Sequence, residues 1–169
     1  MVKFIALTFL MTLISVTPFS YSKADTDEFV SLLKAQDSSL KKAIVCYRVW
    51  SINSASFELG LLEDIRNNNS RGKRSANALL QTHTRVVFLE ILSEAEGLND
   101  LLKAGYSSGA SMDHLAANDL IKNDCTVGVN EIMKKEEYKP FLDEALAKSK
   151  EHLKEVIKKS GYYDLPNQP

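Results

Sequence analysis

The chain has 169 residues, 44% hydrophobic and 25% charged, with 21 basic side chains against 22 acidic ones and a formal net charge of −1. That length suits one domain built on one core. The even charge balance gives no footprint for nucleic acid, which requires a clustered basic face, and no repeat or low-complexity tract interrupts the chain.

The first element is expected to be a leader. Lys3 precedes the apolar run "FIALTFLMTLISV", then "TPFS" and "SKA", with small Ser22 and Ala24 where a secretory signal peptide is cut. Cleavage after Ala24 makes residues 1–24 the signal and 25–169 the mature domain. The run is shorter than the roughly 20 apolar residues that span a bilayer, so the mature protein is expected in the periplasm or outside the cell, with no membrane attachment. Loss of Lys3 and Lys23 leaves 19 basic residues against 22 acidic, a net charge of −3. The two cysteines, Cys46 and Cys125, form an even count in an exported chain and are read as a disulfide. Closing so long a loop contributes about 4 kcal/mol in the entropy model.

Residues 26–36 place Phe29, Leu32 and Leu33 on one side of a helix whose start is capped by Asp25 or Thr26. After "DSS" a longer stripe runs through Leu40, Ala43, Ile44, Tyr47, Trp50, Ser54, Phe57, Leu61 and Ile65, alternating steps of three and four as a helix with one buried face requires. "NNNSRG" ends it, since Asn and Gly stop helices at little cost. That stretch holds an N-glycosylation sequon at Asn68 and the basic run from Arg71 to Arg74 ahead of Ser75, a form read by eukaryotic processing proteases. A solvated loop between helices is the plainer reading of both.

A third helix is expected over 75–104, with Leu79, Leu80, His83, Val86, Val87, Ile91, Ala95, Leu98, Leu101 and Leu102 inward. His83, Glu90 and Glu94 recur along one side of it. They would hold a divalent ion if another helix supplied a further ligand, but no haem, zinc or di-iron motif accompanies them. No metal or cofactor is therefore assigned. "GYSSG" at 105–109 fits the G-x-S-x-G pattern with Ser107 as nucleophile. That elbow needs a strand beneath it, and the residues before Gly105 are helical in pattern. Gly105 is read instead as a helix C-cap in the left-handed conformation, Gly109 as a turn and Ser111 as the next N-cap.

Shorter helical segments carry Met112, Leu115 and Leu120, then Cys125, Val129, Ile132 and Met133. The last helix has Pro140 near its first turn and ends at "SGYY", with Gly161 as cap. With no sustained period-two alternation, the fold class is all-α: a single-domain antiparallel bundle of four to six helices. Without a nucleophile–base pair or a cofactor motif, the chain is expected to act by binding rather than as an enzyme. The leading expectation is a protein-binding module, an inhibitor or immunity-type protein by analogy of size and class only. Trp50, Tyr106, Tyr162 and Tyr163 are its candidate partner contacts. A homodimer is left open. The alternative is a carrier of a small apolar ligand lined by Tyr47, Phe57, Val87 and Leu101.

Overall fold

Seven α-helices make up most of the described residues, 23–108 and 122–160 of a computed structural model. They are α1 (Lys23–Lys34), α2 (Ser39–Val45), α3 (Tyr47–Arg66), α4 (Gly72–Ala95), α5 (Asn99–Ser107), α6 (Val129–Ile132) and α7 (Lys139–Lys159). A π-helical segment, Lys122–Gly128, leads into α6, and a 3-10 turn at Glu136–Tyr138 leads into α7. No strand occurs among the described residues, and none of their helices is long and apolar enough to cross a membrane. The expected leader lies outside them except for Lys23 and Ala24, which open α1.

The frame is α3, α4 and α7, of 20, 24 and 21 residues. Helix α4 packs along both of the others, which scarcely meet each other. The α3–α4 turn is set by Asn68, whose φ of 49° is the left-handed conformation Asn tolerates. The amides of Asn68 and Asn69 then return to the carbonyls of Ile65 and Asp64, at 3.0 and 2.8 Å. Helix α2 begins at the expected place, where the Ser38 hydroxyl accepts the Lys41 amide.

The apolar stripes converge on two clusters. The larger joins Phe29 and Leu33 of α1, Ile44 of α2, Trp50 of α3, Leu89 of α4 and Ala145 of α7 with Cys125 and Val129. The smaller, near the α3–α4 turn, centres on Leu61, Leu79 and Val156. Cys46 and Cys125 are bonded, with Cα atoms 5.3 Å apart, and tie the α2–α3 junction to the π-helical segment. Lys42 adds an ion pair to Asp124 at 3.6 Å.

Four local expectations are corrected. The helix expected to run unbroken from Leu40 to Ile65 is interrupted at Cys46, the disulfide residue, and divides into α2 and α3. The third helix also divides, because Gly97 at φ 68° ends α4. Its amide reaches the Glu94 carbonyl at 3.3 Å and that of Leu98 reaches Ser93 at 2.7 Å, the paired bonds of a Schellman ending. Gly105 is no cap. It lies within α5, fully helical, where a Cβ would stand 2.5 Å from the Val45 carbonyl oxygen. The basic run is not wholly a loop either, since Gly72, Lys73 and Arg74 begin α4 and the Ser75 hydroxyl donates to Asp64 at 2.5 Å. Gly109 and Ser111 lie outside the described residues.

Candidate interaction surface

Gly105 lets α5 settle directly on the backbone of Val45 at the end of α2. The next residue, Tyr106, is thereby carried to the edge of α3, half exposed but held by Tyr47 and Arg48. The Tyr47 ring lies 6.0 Å away, centre to centre, and the Arg48 guanidinium sits 5.3 Å over the Tyr106 ring. Arg48 also donates to the Tyr106 carbonyl oxygen. An exposed cation–π contact of this kind stabilises by about 0.5–1 kcal/mol. Tyr47 is fixed in turn by donating its hydroxyl to Glu90 Oε1 at 2.5 Å. Burial, and then the Glu90 carboxylate, raise the Tyr47 phenol far above its ordinary range, so it remains a neutral donor. Beside Tyr106 opens a shallow depression of about 340 Å³, lined by Tyr47, Ser51, Leu102, Lys103, Tyr106 and Ser107.

Trp50, expected as another partner contact, is buried in the core at 7% exposure. Its indole N–H donates to the Cys125 carbonyl at 3.0 Å, and the Arg85 guanidinium covers its face at 4.6 Å. Arg85 continues to the Asn130 side chain, with Nη2 2.9 Å from Oδ1. Trp50 thus locks the π-helical segment to α3 and α4 and is out of reach of a partner. Tyr162 and Tyr163 lie outside the described residues.

His83, Glu90 and Glu94 are not brought together. Among the described residues no group of three His, Cys, Asp or Glu side chains is arranged to hold a metal ion. Glu90 serves Tyr47, while His83 turns toward α7, where its Nδ1 lies 3.0 Å from the Ser149 hydroxyl. Its ring stacks on His152 at 4.0 Å, nearly parallel, and His152 Nε2 meets Glu58 of α3 at 2.9 Å. Burial, and then the His152 charge, lower the His83 pKa below its ordinary value. Ser149 is fully buried, so a substrate cannot reach it despite its contact with a histidine. Ser107 ends α5 with no strand before it.

Of the four side chains expected to line a ligand cavity, Tyr47, Val87 and Leu101 belong to the large core cluster and Phe57 does not. Phe57 is 40% exposed, Val87 is buried in the core, and Tyr47 and Phe57 stand roughly 15 Å apart along one helix. Arg48 escaped the sequence reading because its partner is 58 positions away, and no helical period links the two. No protein-family model, curated protein or solved structure matches the chain.

Proposed function

We propose that the chain is an exported protein-binding module, acting as a periplasmic inhibitor or immunity-type protein on another protein. Tyr106 carries the reading. It is an exposed aromatic side chain that Arg48 and Tyr47 hold in place before any partner arrives. Aromatic anchors dominate binding energy at interfaces, and an anchor already ordered loses little freedom on association. The Cys46–Cys125 bond supports an oxidising compartment.

The test uses the chain from Asp25 as bait in native extract, beside Tyr106→Ala and Arg48→Ala. A partner captured by the parent should bind Tyr106→Ala about tenfold or more weakly, a loss of about 1.4 kcal/mol or more. The thermal midpoint should fall by only a few degrees, as loss of an exposed contact of about 0.5–1 kcal/mol implies. Equal capture by parent and Tyr106→Ala would sink the reading.

A further inference from the structure

At the α3–α4 turn, the end of the bundle away from the disulfide, lies a cleft of about 470 Å³. Leu61, Ile65, Ala76 and Ile157 form its apolar floor, with Lys73 and Asp64 at its edge. The helix ends meeting here bring exposed Arg66 from α3, Arg71, Lys73 and Arg74 from the start of α4, and Lys158 and Lys159 from α7. Among the described residues, Glu63, Asp64 and Glu155 stand against these six basic side chains. Asp64 is engaged by Ser75, and Glu155 by Lys159 at 3.8 Å. Among the described residues this end is positive, although the whole chain is not.

Arg66, Lys158 and Lys159 lie in last turns, where the helix dipole favours them, but at α4 the charge runs against local helix stability. Helix α4 begins with Lys73 and Arg74 and has no acidic residue in its first turn, while Glu94 and Glu96 mark its end. The helix dipole prefers the reverse at both termini. Charge kept in place against the preference of its own helix is a mark of use beyond the fold.

We propose that this cleft is a second docking site, filled by an acidic segment of a partner protein that places an apolar side chain on the floor. Only the protein nature of the occupant rests on the reading above. The cleft is roughly 27 Å along α3 from Tyr47 and binds without Tyr106. An anionic lipid surface suits it poorly. Membrane-seeking faces project apolar side chains into the acyl boundary, whereas here the apolar residues line a cleft edged by Lys73 and Asp64. Among the described residues the large exposed apolar side chains are Phe57, Leu59, Tyr106 and Val127, and none of them lines the cleft.

The probes are fluorescein-labelled heptapeptides of Glu and Asp with a central Phe, Leu or Ser, titrated into the full chain. Anisotropy is read at about 0.02 M and about 0.2 M salt, and amide shifts map the site. The Phe and Leu peptides should bind, more weakly at high salt, and shift the amides of Ile65, Lys73, Ala76 and Ile157. The Ser peptide should bind about tenfold more weakly. Lys73→Glu with Arg74→Glu should weaken the Phe peptide by about tenfold or more. The same double variant should melt higher, because the reversal suits the start of α4, so lost binding cannot be put down to unfolding.

Phe and Leu peptides that shift no cleft amide, or that bind the double variant as well as the parent, overturn the proposal. So does binding to vesicles of two parts phosphatidylcholine and one part phosphatidylserine that needs Lys73 and Arg74 while the peptides stay free. Self-association with the same dependence and no peptide binding also overturns it. Failure of the peptides leaves Tyr106-dependent capture standing, and loss of that capture leaves the cleft measurement intact.

Discussion

Gly105 and Trp50 show how one residue type serves two ends. A glycine late in an apolar helical stripe reads equally well as a stop or as a point of close approach. Only the position of Val45, sixty residues earlier in the chain, decides between them. Gly105→Ala should lower stability by about 2 kcal/mol. Its methyl group would meet backbone that cannot yield, at about the upper end of overpacking losses, near 3 kcal/mol, while better helix propensity returns about 1 kcal/mol. Urea unfolding midpoints measure this, and an unchanged midpoint would mean that α5 does not press on Val45. Trp50 was legible as a helix residue on the core-facing stripe. Its bond to the Cys125 carbonyl was not, because nothing in the local pattern of α3 reports on a segment 75 residues later.

At the level of elements, the helical periods located the frame, and the turn residues located its breaks unevenly. The "NNNSRG" stretch stops a helix as its residue types predict, with Asn68 in the left-handed conformation, whereas Gly97 lies inside an apolar stripe that carries no local sign of a break. The stripe also gave no warning that His83 meets α7 in a polar layer with Ser149 and His152, opposite Glu58 of α3. That layer makes stability depend on pH. The His83 pKa is lowered on folding, so as pH falls through about 6.5, the ordinary His value, the unfolded chain takes up a proton that the folded chain resists. The His83 contribution is complete above that pH and is lost as pH falls toward the folded value, where the loss levels off. His83→Gln should flatten this part of the profile in urea titrations between about pH 7.5 and about pH 5. A profile unchanged by the substitution would place the titration elsewhere.

In the whole molecule, the class of fold and the cysteine pairing followed from composition, period and parity, which are properties of the chain as a line. The segregation of charge to one end is a property of the solid. Net charge averages it away, and Arg66, Lys73 and Lys158 share one end of the bundle only once three helix ends meet. The placement of the disulfide has a similar consequence for motion. Cys46–Cys125 binds the large cluster together, whereas Leu61, Leu79 and Val156 lie past the polar layer of His83 and His152, in a cluster that no covalent link crosses. A bundle so fastened opens from its free end. In native-state hydrogen exchange the amides of Leu61, Leu79 and Val156 should lose protection at lower denaturant than those of Trp50, Leu89 and Val129. Equal protection throughout would mean that the two clusters open as a single unit. Breathing of this kind would make the basic cleft the softest part of the bundle, able to widen around an incoming side chain while the stapled half holds its shape.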